Sequence, residues 1–171
     1  MAINVYPARR EHIPILLHFI HALSVYQHME DEVTVTPGLL EKWMFEHRMA
    51  EALLADSDGK PVGFALFFHM FSAFPGLPGL YLQDLYVNPE CRGSGCGKAL
   101  MAGLARIAVA RGCDCVEWAC LDWNQPSIDF YRSLGAKPMP DWTNYHLSGD
   151  ALHALGQRSP NAPEPKYTRV R

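Results

Sequence analysis

Seven residues, Arg92-Gly93-Ser94-Gly95-Cys96-Gly97-Lys98, place three glycines at alternate positions just ahead of the helix-forming run Ala99-Leu100-Met101. Glycine lets a ligand approach the backbone, and the first amides of a helix lack carbonyl partners and point out of its positive end. Such a turn is an anion site, and its spacing narrows the anion. A dinucleotide fingerprint needs glycine where Lys98 stands. A nucleotide P-loop needs glycine in place of Arg92 and Ser or Thr in place of Ala99. Neither pattern fits.

The turn needs a strand before it and a helix after it. Tyr81 to Val87 alternates and is apolar enough for a buried strand, which Asn88-Pro89 stops. Downstream, Leu100, Leu104, Ile107 and Ala108 continue one helical face to Arg111-Gly112. Cys113 to Leu121 then reads as a second buried strand, parallel to the first because a helix separates them.

The flanks supply further elements. Ile3-Asn4-Val5 is a short strand ended by Pro7, and Arg10 to His28 is an amphipathic helix with Ile13, Leu16, Leu17, Ile20 and Leu23 on one face. Thr36-Pro37 caps a helix reaching about His47. Ala52–Ala55 and Val62–Phe71 form a hairpin across Asp56-Ser57-Asp58-Gly59, and Ser72–Gly79 reads as a loop. Pro126 opens a short helix, Ser127 to Leu134, closed by Gly135. Thr143–Leu147 is a candidate last strand and Asp150–Leu155 a final helical turn or two. The Pro-containing stretch from 157 to 171 reads as an extended or mobile tail.

Composition bounds the function. A chain of 171 residues with 49% apolar and 19% charged residues suits one folded domain, here 1–156. A net charge of −3 gives no basic footprint for nucleic acid. No segment approaches the roughly 20 apolar residues of a membrane helix, and no secretory signal is visible, so a cytoplasmic protein is expected. Cys91, Cys96, Cys113, Cys115 and Cys120 make no Cys-x-x-Cys pair, and His12, His18, His21 and His28 fall on different sides of their helix. Metal binding is therefore not expected.

Two motifs together carry a resemblance. Arg92 to Gly97 fits Arg/Gln-x-x-Gly-x-Gly/Ala, and Asn124 to Ala136 fits Asn-x-x-Ser/Ala-x-x-x-Tyr-x-x-x-Gly-Ala/Phe. In this order the chain resembles the GNAT superfamily of N-acetyltransferases. Tyr26-Gln27-His28-Met29-Glu30, Gly63-Phe64-Ala65, Tyr81 to Val87 and Asp141-Trp142 are similar to the spermidine/spermine (diamine) and thialysine N-acetyltransferase branch. The resemblance implies an α/β (α+β) fold: a mixed, mostly antiparallel sheet, splayed between strands four and five, with helices on both faces. It implies acetyl-CoA as cosubstrate and a homodimer.

It also implies roles. The backbone of Leu85, Tyr86 and Val87 would pair with the pantetheine arm, and Arg92, Gly93, Ser94, Gly95, Cys96, Gly97 and Lys98 would hold the pyrophosphate. Asn124 and Ser127 would border the pantetheine, with Tyr131 protonating the departing thiolate. Tyr26, Glu30, Gln83, Asp84 and Trp142 would meet the acceptor amine. The chemistry asks for these parts. Direct attack by an amine builds charge on the thioester oxygen, which a backbone N–H, that of Leu85, would stabilise. No cysteine need be a nucleophile.

The chain departs from the branch at three places. Gln83 stands where relatives carry the glutamate favoured as base, which leaves Asp84, Glu30 or a water chain to take the proton. Alternation along the strand predicts that Asp84 points away from the Gln83 face. Gln27 and Ser72 also replace acidic positions, and losing three negative charges disfavours a long polycation. A diamine or lysine-like amino acid is thus favoured over spermine. An acetyl-CoA-binding sensor or partner module and a protein-directed N-acetyltransferase stay open.

Overall fold

Asp58 and Gly59 both lie in the left-handed region, at φ +53° and +78°. Two such residues in succession form the two-residue turn whose twist matches a hairpin. The strands they join, β2 (Glu51–Ser57) and β3 (Lys60–Ser72), therefore pair with Ser57 opposite Lys60 and Leu54 opposite Phe64. In the computed structural model, which describes residues 2–158, they belong to a five-stranded sheet in sequence order. The other strands are β1 (Ile3–Pro7), β4 (Leu77–Val87) and β5 (Val116–Glu117). Only β4 and β5 are parallel, because a helix, Cys96–Ala110, crosses between them. The chain divides into two compact units, the sheet unit running to Leu121 and a smaller one beginning at Asp122.

Both faces of the sheet are covered. After a 3₁₀ turn at Arg10–His12, α1 (Ile13–Gln27) buries Ile13, Leu16, Phe19 and Leu23 in one cluster with Leu54, Phe64 and Tyr86. Phe19 stacks on Phe64 with ring centres 5.7 Å apart. Thr36 accepts the Leu39 N–H at 3.2 Å and starts α2 (Pro37–Leu40), which widens into a π-helical turn over Glu41–Glu46 and adds Leu40 and Met44. The Cys96–Ala110 helix, α3, covers the other face with Leu100 and Leu104. A methyl at Gly103 would stand 3.1 Å from Leu53 and 3.2 Å from Val5. Arg111, just beyond α3, holds both carboxylate oxygens of Glu51 at 2.5 and 2.7 Å. That guanidinium keeps the Glu51 carboxyl below its usual range.

Three expectations are corrected. Ser72–Gly79 is not all loop: pairing continues through Phe71 opposite Pro78 and Ser72 opposite Leu77, which leaves a turn over 73–76. Proline is tolerated there because it lies at the start of its strand. The expected Cys113–Leu121 strand pairs only at Val116 and Glu117, where β4 and β5 part. Within the smaller unit, Thr143–Leu147 forms no strand. Residues 136–148 are irregular, with Trp142 72% and Tyr145 94% exposed, and among the described residues no ladder partner holds them extended. The short helices form as expected, α4 (Gln125–Ser133) ending at Gly135 (φ +88°) and α5 spanning Gly149–Gln157. Of the tail, 159–171 lies outside the described residues.

Gly63 sets the spacing between β3 and β4. An added Cβ would lie 2.5 Å from the Tyr86 carbonyl oxygen and 3.2 Å from Val87 Cα. Backbone cannot yield as a side chain does, so Gly63→Ala is expected to cost about 2 kcal/mol and lower the melting temperature by about 5 °C. An unchanged melting curve would contradict this.

Candidate active site

The pairing of β4 with β3 slips by one residue. Leu66 faces Asp84 and Phe67 faces Leu82, so Gln83 is extra and forms a β-bulge. Directly opposed residues share a face of the sheet. Asp84 thus lies with Leu66 on the α1 face, Leu82 and Leu85 both lie with Phe67 and Ala65 on the α3 face, and Gln83 and Asp84 fall between them. Simple alternation puts these two residues on opposite faces. The bulge brings both to the α1 side instead, with Gln83 exposed and Asp84 half-buried. Burial raises the Asp84 carboxyl from 3.8 to about 6, because low dielectric disfavours its charged form.

The same bulge decides which amides face outward. Leu80 N–H bonds to Cys115 C=O at 3.0 Å, toward β5, and the Val87 carbonyl is met from outside the β3–β4 ladder by Arg92 Nε at 3.0 Å. These positions are seven apart, an odd step that regular two-residue alternation forbids and one bulged residue allows. Asn88 N–H bonds back to Val62 C=O at 2.8 Å, which assigns Tyr86 to the β3 side and Leu85 and Val87 to the open side. Since β5 pairs only as far as Tyr81, the Leu85 N–H and C=O and the Val87 N–H lie on an edge that no strand among the described residues covers, while the Val87 carbonyl is taken by Arg92. Of the three backbone positions expected to pair with a cofactor arm, Leu85 and Val87 face that edge and Tyr86 does not.

The glycine turn follows. After a 3₁₀ turn at Pro89–Cys91, Gly93 (φ +75°) and Gly95 (φ +96°) take left-handed conformations, and Gly95 caps α3 with no side chain. The α3 ladder begins with Ala99 N–H on Gly95 C=O at 2.9 Å, so the amides of Cys96, Gly97 and Lys98 have no place in it. Ser94 Oγ donates to Cys91 C=O at 2.6 Å and holds the turn closed. Cys96 is buried, while Lys98 is exposed. Three ladder-free amides at the positive end of a long helix, with a cation beside them, fit a diphosphate.

The Arg92 side chain turns away from this cradle. Its guanidinium carbon lies 4.6 Å from the centre of the Tyr26 ring, at the end of α1, and 5.8 Å from that of Tyr86. Sequence reasoning grouped Arg92 with the phosphate loop and missed this direction. Glu30 is exposed on the next 3₁₀ turn, Glu30–Glu32. In the smaller unit, Asn124 is buried and accepts the Ser127 N–H at 3.4 Å as the N-cap of α4, whose Tyr131 is half-buried with its ring 5.4 Å from that of Phe130. Trp142 lies in the irregular stretch. Among the described residues no cluster of His, Cys, Asp or Glu could hold a metal ion, and no helix is long and apolar enough to cross a membrane.

A sheet that opens after its fourth strand, with a glycine turn at the opening, defines an acyltransferase architecture, and the comparisons agree. The chain belongs to the acetyltransferase (GNAT) family, whose model matches residues 17–136. It is 31% identical over 152 residues to a thialysine N-epsilon-acetyltransferase of Sus scrofa, covering 82% of this chain and 89% of that protein. It is 39% identical over 93 residues to an L-ornithine N5-acetyltransferase of Arabidopsis thaliana, covering 54% of this chain and 41% of that protein. Among solved structures, an integron cassette protein from the mobile metagenome of V. cholerae superposes with a TM-score of 0.77 at 27% identity, covering 92% of this chain and 99% of that one. The protein is an N-acetyltransferase, and its family generally takes the acetyl group from acetyl-CoA.

Proposed function

We propose that this enzyme transfers acetyl from acetyl-CoA to a primary amine of a small molecule, a lysine-like or ornithine-like amino acid or a diamine in preference to a long polyamine. The observation that carries this reading is the β4 edge at Leu85 and Val87, which no strand among the described residues covers, beside the ladder-free amides of Cys96, Gly97 and Lys98. These groups fit the donor: a strand edge for an amide-bearing arm and a helix N-terminus for a diphosphate. The similarity to enzymes named for the side-chain amines of thialysine and ornithine supports the acceptor class. Because the family match runs across residues 17–136, we read 1–156 as one acyltransferase domain.

Acetyl-CoA, when bound, supplies an activated acetyl group. The chain's residues do the rest. Leu85 N–H, fixed by the sheet, donates to the oxygen where charge grows, at no reorganisation cost. Asp84, brought to the α1 side by the bulge, takes the ammonium proton, which an amine of pKa near 10.4 must lose before it can attack. Tyr131 supplies a proton to the leaving sulfur, with Asn124 and Ser127 bordering the arm. Tyr26, Glu30 and Gln83 meet the acceptor, a role that the family resemblance extends to Trp142. The odd, unpatterned cysteine count supports a cytoplasmic setting, and the exposed Trp142, Tyr145 and Leu147 support a second copy of the chain as their cover.

The test is acetyl-CoA-dependent thiol release over a panel running from spermine through diamines to ornithine and lysine. The reading expects turnover on the short amines, with spermine weakest. Bound acetyl-CoA with a silent panel would overturn it in favour of a sensor or a protein-directed enzyme.

A further inference from the structure

The short strand β5 carries a carboxylate that the acetyl transfer itself leaves unused. Its register sets Leu80 beside Val116 and Tyr81 beside Glu117. Leu80 is fully buried and lies opposite His69, on the α3 face, so Tyr81 and Glu117 project from the α1 face. Phe68, opposite Tyr81, and Leu66, opposite Asp84, stand two residues apart on that same face. Cys115 gives an independent check. Its Sγ lies 3.1 Å from where a methyl on Gly79 would stand, Gly79 faces Met70, and the thiol donates to Glu117 Oε1 at 3.7 Å. Register, alternation and side-chain contact agree on one row along the α1 face: Asp84, Tyr81, Glu117.

The row has a reacting end and a far end. Asp84 stands at the first, next to the Leu85 amide on the open edge. In the middle the Tyr81 ring lies 5.2 Å from that of Phe68, outside the cluster that α1 buries. Both rings are half-buried and form an apolar floor. Glu117 closes the row, also half-buried, and among the described residues no cation stands within ion-pair distance of it. The Cys115 thiol is a weak donor and does not neutralise a carboxylate. From Leu85 back to Tyr81 is four positions, one of them the extra residue of the bulge, so Glu117 sits about 10 Å down the sheet from the Leu85 amide. The carbon chain of putrescine or cadaverine, added to the reach of a glutamate side chain, spans that distance. Its methylenes would lie on the two rings, and two carboxylates on one face draw a dication. We infer that Glu117 binds the second ammonium of the acceptor, and so selects a short diamine over a monoamine of equal length and over an acceptor that carries a carboxylate at its far end.

This inference rests on the small-amine reading above, and its test separates the two. Thiol release is measured for cadaverine, pentylamine and δ-aminovalerate, which differ only at the far end, and for lysine and ornithine. Wild type, Glu117→Gln and Glu117→Lys are compared, alongside acetyl-CoA KM and melting curves. Wild type is expected to favour cadaverine over the other two five-carbon amines in kcat/KM, chiefly through KM. The cadaverine-to-pentylamine ratio should fall about tenfold in Glu117→Gln, with acetyl-CoA KM unchanged. Glu117→Lys should turn the preference towards δ-aminovalerate, a reversal that lost packing would not produce. The wild-type preference needs no variant, so a variant that fails to fold leaves the test in place. A wild type that uses pentylamine as well as cadaverine, or that uses lysine and ornithine alone, overturns the inference and leaves the small-amine reading standing. So does a folded Glu117→Gln variant that keeps the wild-type ratio. A wild type that binds acetyl-CoA and is inert on all five amines overturns both.

Discussion

Tyr131→Phe is expected to lower kcat by about two to four powers of ten, with acetyl-CoA binding and the melting temperature little changed. The substitution deletes one hydroxyl and keeps the ring, so packing against Phe130 on α4 survives. What is lost is a proton for the departing sulfur. The loss should therefore shrink for donors whose thiol is already a good leaving group, a dependence that a packing defect would not produce. Steady-state rates with a series of thioester donors check it. An unchanged kcat would remove Tyr131 from the chemistry and leave it as a helix side chain.

Asp84→Asn is expected to have the second large effect, in two measurements with opposite signs. The Asp84 carboxyl is raised by burial to about 6, and a base must be unprotonated to act. Wild-type kcat/KM should thus rise with pH through about 6, and the variant should lose that limb together with a factor of about a hundred or more in rate. Stability moves the other way. A carboxyl whose folded pKa lies above its unfolded value binds more protons when folded, so this group's contribution falls as pH rises from about 4 to about 6. Above that range the charged, half-buried carboxylate works against the fold. The amide should then stabilise the protein by about 1–2 kcal/mol at pH 8, after allowance for solvent screening, and by much less at pH 4. Melting curves at the two pH values test this. A variant that keeps both the limb and the rate would return the proton to Glu30 or to water alone.

Much of this was legible in the sequence, and the misses share a cause. The strand, glycine turn and helix from Tyr81 to Ala110 were readable because proline, glycine and apolar spacing act locally. The hairpin at Asp58-Gly59 was readable for the same reason. The bulge was visible only in hindsight: Leu80, Leu82, Leu85 and Val87 share a face, and the one three-residue step among them encloses Gln83-Asp84. Strict alternation therefore assigned Asp84 to the wrong side. The early end of β5 and the irregular 136–148 depend on whether an edge exists to pair with, which is long-range information. The direction of Arg92 follows from the Tyr26 ring, more than sixty positions earlier in the chain, and no local pattern encodes it.

The central claim is direct transfer from donor to a small amine, with no acetyl held on the protein. The most direct measurement is mass spectrometry of the intact enzyme and of the small molecules, first with acetyl-CoA alone and then with lysine or ornithine added. The protein mass should not change in either sample, leaving all five cysteines unmodified. One acetyl should appear on the amine for each thiol released. Acetyl found on the protein before any amine is present, or thiol released with no acetylated amine, would contradict the claim.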